Sequence, residues 1–204
     1  MPTLKQAYDG ALPGYELLTS EVKFALSNAL QTVGIRVDHI DDRIKDLDSI
    51  RGKIRRRRLK TAVVASGRLD LIEDLVGVRV VCLFRRDIPA IVDAIHATFR
   101  EIKTDDKTHG YAHSATGYQD VQVIARLDDG YAGARYDQIK GLPFEIQVRT
   151  ISMDAWAKVS HHLLYKKAAV AEIEDRFKAL SGLFYVADME FEALYDIRSK
   201  EASS

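Results

Sequence analysis

A short apolar run that contains one charged residue constrains the fold of this chain most. Residues 76–84 read Val-Gly-Val-Arg-Val-Val-Cys-Leu-Phe. This apolar and β-branched composition predicts a central strand of a sheet. A guanidinium in such a strand is costly unless it is paired. Arg79 therefore requires either a bound ligand or a carboxylate partner, and Glu73 and Asp74 are the nearest candidates in the sequence.

A second predicted strand, over 143–149, alternates strictly between apolar and polar residues. Phe144, Ile146 and Val148 face one side, and Glu145, Gln147 and Arg149 face the other. Asp74 stands just before the first strand, so Asp74 and Glu145 can share a Mg²⁺, and a carboxylate beside a metal can take a proton from an attacking hydroxyl. The alternative for this pair is a helix-terminal aspartate and a solvated strand glutamate.

The remaining patterns predict an α+β fold, in which a small mixed β-sheet is flanked by helices. Pro13 marks the first turn of the first helix and Gly34 marks its end. A polar segment over 104–116 is expected to be irregular. The predicted helices cover 15–32, 48–60, 69–75, 87–99, 153–167 and 172–200, and the other predicted strands cover 35–40 and 117–127.

The final helix carries an apolar stripe that predicts either a buried core face or an interface between copies of the chain. Its members are Ile173, Phe177, Leu180, Leu183, Phe184, Ala187, Phe191 and Leu194.

Composition excludes several classes of protein. Thirty Lys and Arg residues balance thirty Asp and Glu residues, so no global basic field attracts nucleic acid. One cysteine, Cys82, rules out a disulfide framework and a zinc site built on cysteines. The N-terminus lacks the apolar region of a signal peptide, and no apolar run reaches transmembrane length. These observations predict a cytoplasmic protein with no membrane partner.

Phosphate binding must then come from a local cluster of cations. Residues 43–53 combine Arg43, Lys45, Arg51 and Lys53 with the expected N-terminus of a helix. Backbone N–H groups at a helix N-terminus bind anions, and Lys53 lies one turn after Ser49 on the same face. This arrangement can cradle a polyphosphate, although a basic helix that is only solvated, or that touches RNA, has the same composition.

Four sequence blocks, in order within 41–167, resemble the synthetase domain of the RelA/SpoT family. Any one block alone is a weak signal, and four in order with sensible spacings are a strong one. The blocks are Arg43-x-Lys45-x-x-x-Ser49-Ile50; Glu73-Asp74-Leu75-Val76-Gly77-Val78-Arg79-Val80; Gly117-Tyr118-Gln119; and Phe144-Glu145-Ile146-Gln147-Val148-Arg149-Thr150, followed by Met153, Trp156-Ala157, His161 and Tyr165-Lys166.

On the donor side, the resemblance implies that ATP is the substrate. Arg43 and Arg79 match the two arginines that sandwich the adenine in the family. Lys45, Ser49 and Lys53 match positions that hold the phosphates. The resemblance also implies a synthetase domain over 35–168, with an N-terminal helical extension over 1–34 and a C-terminal one over 169–204.

On the acceptor side, the resemblance implies that Tyr118 stacks on guanine. Asp74 matches the Mg²⁺ ligand, and Glu145 matches the second acidic residue, which is a metal partner or a general base. Three further residues fall near the acceptor and phosphate positions: Gln147, Arg149 and His161.

The acceptor motif departs from the family pattern Gly-Tyr-x-Ser-x-His. Asp120 replaces the serine and Gln122 replaces the histidine. The negative charge of Asp120 near an acceptor phosphate could select against a 5′-polyphosphate. The sequence therefore supports ATP as donor better than it identifies the acceptor. No hydrolase half is present, so the chain resembles the stand-alone small synthetases or a fragment of a longer synthetase.

Three hypotheses for function remain open at this stage. The first is a (p)ppGpp synthetase that moves pyrophosphate from ATP to the 3′-hydroxyl of GDP or GTP and releases AMP. The second is a toxic relative that modifies an adenine nucleotide or the 3′ end of tRNA. The third is a catalytically silent domain that binds nucleotide or RNA. Stand-alone relatives are often homotetramers, which makes a homo-oligomer a further expectation.

Overall fold

A computed structural model describes residues 3–56, 68–108, 120–164 and 171–202. Within these ranges the chain forms five helices, five strands and a short 3₁₀ turn over Leu69–Leu71. In chain order the helices and strands are α1 (Leu4–Thr32), β1 (Val37–Ile44), α2 (Leu47–Arg56), β2 (Val76–Cys82), α3 (Asp87–Thr98), β3 (Phe99–Asp106), β4 (Val121–Leu127), β5 (Phe144–Thr150), α4 (Ile151–Leu164) and α5 (Ala171–Ala202). None of the described helices is both long and apolar enough to cross a bilayer.

The strands form one mixed sheet in the order β1-β2-β5-β4-β3. β2 and β5 run parallel, and the other neighbouring pairs are antiparallel. The predicted α+β class with a small mixed sheet is confirmed. The run over 76–84 does contain an interior strand, β2, which pairs with β1 and β5, while β5 is the third of the five strands and so occupies the middle of the sheet.

One face of the sheet is the core of the protein, and the other is polar. The apolar residues of β2 and β5 pack with α1 and α3, and this packing explains the strict alternation along β5. The opposite face carries the charged residues. The largest fully buried side chains include Phe144, Leu18, Leu26, Leu30, Ile50, Ile91 and Ile146.

The first helix starts earlier than its apolar periodicity predicts. Thr3 and Gln6 form a capping box, which begins α1 at Leu4. Pro13 consequently lies inside the helix, so its predicted place in the first turn is wrong. The predicted end is correct: Gly34 follows the helix with a φ of 71°, a conformation that glycine adopts without strain.

The structure corrects two further local predictions. The segment expected to be irregular from 104 onward begins inside β3, an edge strand whose exposed, charged residues show no alternation. The helix predicted over 69–75 is only the 3₁₀ turn Leu69–Leu71. For β3, pairing with β4 and not the local pattern determines the conformation.

The apolar stripe predicted for the last helix does not form a core face within the chain. Leu183 of α5 is 65% exposed, and Ile173, Leu180, Phe191 and Leu194 are also exposed, whereas Phe177, Ser181 and Asp188 are buried. Polar contacts anchor this helix: Thr150 Oγ1 donates a hydrogen bond to Asp188 Oδ2 at 2.7 Å, and Trp156 Nε1 donates to the carbonyl of Phe177 at 3.1 Å. The alternative, an interface between copies, stays a prediction.

Two substitutions in α1 should separate the core from the surface. Leu26 is fully buried and Phe24 is 66% exposed. We expect Leu26→Ala to lower the free energy of unfolding by about 2–5 kcal/mol. Phe24→Ala removes more atoms from the same helix, yet we expect a change within about 0.5 kcal/mol. Urea unfolding followed by circular dichroism measures both; equal losses would contradict this packing.

Candidate functional site

The pairing of β1, β2 and β5 aligns polar residues across the sheet. One row joins Arg43, Gly77 and Glu145, and the next joins Asp41, Arg79 and Gln147. The Arg43 side chain lies over Gly77, within 3.6 Å of where a Cβ would stand. Side chains from both rows line a cleft of about 150 Å³ that also includes Asp42 and Val78.

Asp74, just before β2, lies between two lysines. Lys45 Nζ is 2.6 Å from Asp74 Oδ2, and Lys53 Nζ contacts Asp74 Oδ1. All three side chains are largely buried. Burial alone would raise the pKa of Asp74, but the two ammonium groups outweigh it and hold the pKa below its usual value. The site therefore contains an ionised carboxylate with two cations beside it.

Glu145, on the polar face of β5, has the opposite character. Its carboxylate accepts a hydrogen bond from Gln147 Nε2 at 2.8 Å. Burial raises the pKa of Glu145, and the charges of Asp74 and Asp120 raise it further, with partial relief from Lys45 and Arg43. A carboxylate with a raised pKa binds a proton more tightly than an ordinary one, which suits it to accept a proton. The two acidic groups are thus in different environments, and only Glu145 is electrostatically prepared to act as a base.

The start of α2 differs in detail from the expected phosphate cradle. Asp46 caps the helix: Ser49 donates its backbone N–H and its hydroxyl to the Asp46 carboxylate, each at 2.8 Å. These hydrogen bonds, the backbone one first, lower the pKa of Asp46. The backbone N–H of Ser49 therefore already has a partner at the start of the helix. The groups of this segment that contact Asp74 are the ammonium groups of Lys45 and Lys53.

Arg79 receives a partner that sequence analysis did not identify. Asp154, in the first turn of α4, lies 3.2 Å from Arg79 and 3.6 Å from Arg149, and Lys158 contacts its other oxygen at 2.7 Å. The carboxylate partner is therefore Asp154, whereas the sequence suggested Glu73 or Asp74. Burial lowers the pKa of Arg79, as does the charge of Arg149, while Asp154 opposes both. An aspartate in the first turn of a helix is common because it interacts favourably with the helix dipole. The sequence therefore gave no indication that Asp154 also contacts Arg79.

Asp120, directly before β4, completes the charged network. Its Oδ2 lies 2.7 Å from Arg149 Nε and 2.6 Å from an Arg149 terminal nitrogen. Gln122 donates to Asp120 Oδ1 at 3.0 Å, and Lys107 donates to Gln122 Oε1 at 3.1 Å. The network continues through Arg149 to Asp154, so it links the two sides of the site.

The structure brings most of the predicted site residues onto one face of the sheet. Ser49 is half-buried beside Asp46 at the start of α2, and His161 is exposed in the last turn of α4. Tyr118 lies outside the described residues. The residues gathered by the sheet and by α2 are Arg43, Lys45, Lys53, Asp74, Arg79, Glu145, Gln147 and Arg149.

The carboxylate oxygens of the site suit a divalent metal that prefers oxygen ligands. Across the part of the chain that the structure describes, no three His, Cys, Asp or Glu side chains are grouped to hold an ion. Asp74 and Glu145 are close enough for their charges to interact. Mg²⁺ is usually bound by one or two carboxylates, with water and substrate phosphates completing its shell. The two carboxylates therefore fit Mg²⁺ held jointly with a phosphorylated substrate.

This chain belongs to the RelA/SpoT family. Residues 42–170 match the family described as "Region found in RelA / SpoT proteins". GTP pyrophosphokinase YwaC of Bacillus subtilis (strain 168) is 30% identical over 132 residues, which cover 64% of this chain and 59% of that protein. The chain thus aligns with less than two thirds of this relative's length.

Solved structures share the fold over almost the whole chain. The small alarmone synthetase 1 from Bacillus subtilis bound to its product pppGpp has a TM-score of 0.76 at 22% identity, with 98% of this chain and 100% of that chain covered. A GTP pyrophosphokinase family protein from Streptococcus pneumoniae has a TM-score of 0.75 at 25% identity, with 97% of each chain covered. These likenesses confirm the α+β architecture, including α1 and α5.

The raised pKa of Glu145 predicts a cost in stability. The Glu145 carboxyl has its ordinary pKa of 4.5 in the unfolded chain and a higher pKa in the folded protein. Its contribution to the free energy of unfolding is therefore fully present below pH 4.5 and is lost as the pH rises through the folded pKa. Glu145→Gln stays neutral, so we expect it to be about 1 kcal/mol more stable than the wild type at pH 8, with the gap closing towards pH 4.5. Urea unfolding across this range, without ligands, measures the gap; a pH-independent difference would contradict it. Exposed Glu101→Gln is the control.

The contacts of Asp154 predict a second effect on stability. Asp154→Asn leaves Arg79 and Arg149 side by side without their shared counter-charge. We expect a loss of about 3 kcal/mol in the free energy of unfolding. Lys158→Met removes an exposed partner of the same carboxylate, and we expect at most about 1 kcal/mol. Comparable losses in chemical denaturation would show that Asp154 does not hold the arginines.

Proposed function

We propose that this protein is an ATP-dependent nucleotide 3′-pyrophosphokinase whose acceptor is GDP or GTP and whose products are (p)ppGpp and AMP. The observation that carries the proposal is the pairing of Asp74 with Lys45 and Lys53 beside the partly buried Glu145, within a region that belongs to the RelA/SpoT family. The relative YwaC is named a GTP pyrophosphokinase, and the structurally similar synthetase was solved with pppGpp.

The donor nucleotide is proposed to bind along β1, β2 and α2. Arg43 and Arg79 project from adjacent rows of the sheet into one cleft, which suits two guanidinium planes on either side of an adenine. Lys45 and Lys53 provide two positive charges next to Asp74, where a triphosphate and its metal would meet. Ser49 adds a hydroxyl at the start of α2.

The acceptor is proposed to bind on the β5 side of the same face. Gln147 and Arg149 follow Glu145 at alternate positions, so their side chains point the same way. Tyr118 would stack on the base, and His161 of α4 would lie at the edge of this region. In this proposal the acceptor hydroxyl lies nearest Glu145.

The proposed reaction moves one pyrophosphoryl group in a single displacement. The acceptor 3′-oxygen forms a bond to the β-phosphorus of ATP, and the bond from that phosphorus to the oxygen bridging the α-phosphorus breaks, so that AMP leaves with the bridging oxygen. Glu145 takes the proton from the 3′-hydroxyl. Arginine and lysine side chains position the phosphates and offset the developing charge. Mg²⁺ held by Asp74 and Glu145 would neutralise phosphate charge.

An acceptor screen tests the proposal directly. The protein is incubated with labelled ATP, Mg²⁺ and, in separate reactions, GDP, GTP, an adenine nucleotide or deacylated tRNA. We expect AMP and a 3′-pyrophosphorylated guanine nucleotide. Label that appears on tRNA or on the adenine nucleotide, and not on guanine nucleotides, would instead support the toxic-relative hypothesis. Folded protein that binds ATP but releases no AMP with any acceptor would contradict a pyrophosphokinase.

Substitution of the proposed base separates chemistry from binding. Glu145→Gln keeps the size of the side chain and its contact with Gln147 but cannot accept the proton. We expect turnover to fall by at least about 10²-fold, with the Kd for ATP changed only a few-fold. Calorimetry and an AMP-release assay give the two quantities, and the exposed Glu101→Gln should match the wild type in both. Wild-type turnover in Glu145→Gln would remove Glu145 from this role.

A further inference from the structure

The closest ion pair of the acceptor side joins Asp120 and Arg149. Asp120 Oδ2 contacts two nitrogens of the guanidinium, at 2.7 and 2.6 Å, and the two side chains are only 8% and 13% exposed. Gln122 donates to the other oxygen of Asp120 at 3.0 Å. At such low exposure, water screens the pair weakly, so the carboxylate cancels much of the positive charge that Arg149 would otherwise present.

Arg149 is the only cationic residue of β5, and it lies on the face that carries Glu145 and Gln147. Its guanidinium is therefore the positive charge that β5 offers to a nucleotide acceptor on this face. The charge of Asp120 is also felt within the site, because it contributes to the raised pKa of Glu145. Asp120 is therefore part of the electrostatic environment of the site.

The charges around Arg149 largely offset one another. Asp120 contacts Arg149, and Asp154 contacts Arg79, Arg149 and the exposed Lys158, so three cations lie against two carboxylates. The neighbouring cation, Lys107, donates to Gln122 and lies 3.4 Å from Asp105. Among the described residues, Asp120 and Asp154 thus offset most of the positive charge that a chain of acceptor phosphates would meet at the start of β4 and the end of β5.

We propose that Asp120 is a specificity-determining residue, which withholds the charge of Arg149 from the acceptor and biases the enzyme towards acceptors with fewer 5′-phosphates. The inference rests on the proposed function for the location of the acceptor. The alternative role for Asp120 is to orient Arg149 towards a phosphate. In that case, loss of Asp120 would weaken the binding of a polyphosphate. The two roles therefore predict changes of opposite sign.

Asp120→Asn is the appropriate variant because it removes the charge and keeps the acceptor atom for Gln122. The protein is saturated with the ATP analogue AMPCPP, and calorimetry measures the binding of GMP, GDP and GTP. We expect the affinity ratio of GTP to GMP to rise about tenfold over the wild-type ratio, since one positive charge is released towards the phosphates. Asp129→Asn, an exposed aspartate beyond the other end of β4, makes the same change in net charge and should leave the ratio within about twofold.

A double-mutant cycle assigns the effect to Arg149. In the Arg149→Gln background no cation is available for release, so Asp120→Asn should leave the ratio of GTP to GMP affinity unchanged. Thermal unfolding of each variant in the presence of AMPCPP confirms that it is folded. An unchanged or lower ratio in Asp120→Asn, or a rise that persists without Arg149, would overturn the inference.

Turnover measured on the same variants keeps the two proposals apart. If guanine nucleotides bind with the expected ratios but none is pyrophosphorylated by the wild type, the proposed function fails and the role of Asp120 stands. If the wild type makes (p)ppGpp and the ratio of kcat/KM for GTP over GDP is the same in Asp120→Asn, the proposed function stands and the role of Asp120 fails.

Discussion

The parallel pairing of β2 with β5 is the framework around which the charged groups of this site are arranged. It sets Gly77 opposite Glu145 and Arg79 opposite Gln147, and so brings residues nearly seventy positions apart onto one polar face. A shift of one residue in this register would turn the polar side chains into the core. The apolar residues that alternate with them pack beneath α1 and α3. The hydrophobic core therefore holds the register, and the register builds the site.

Burial of so many charges requires that each has a counterpart. Asp74 lies between two lysines, and two arginines share Asp154. These ion pairs offset much of the free energy that it costs to remove the charged groups from water. Glu145 is the exception: its partner is the neutral amide of Gln147, and its neighbours include other carboxylates. The group proposed to accept a proton is also the group whose ionised form the fold supports least, as is common for catalytic acids and bases.

Sequence patterns predicted the parts of the structure that depend on local periodicity. The alternation along β5 identified the faces of Glu145 and Gln147, and the four ordered blocks identified the family. Asp154 was missed because its role depends on α4 meeting the sheet, and an aspartate at a helix start has a sufficient local reason to be there. The charged edge strand β3 shows no alternation. Of the two outcomes predicted for the stripe on α5, a core face does not form, because most of its apolar residues are exposed and the helix docks through Phe177 and a few polar contacts.

The attachment of α5 has a consequence for how the protein responds to its solvent. Near its middle the helix is held by the fully enclosed hydrogen bond from Thr150 to Asp188, which dissolved ions cannot reach. Further along, it is held by Arg86, which bridges Glu192 and Asp196 at the partly open surface. Concentrated salt weakens the second contact and spares the first. Rising ionic strength is consequently expected to loosen the attachment of α5 around Glu192 and Asp196. The middle of the helix stays attached to Thr150, the last residue of β5, which follows Arg149.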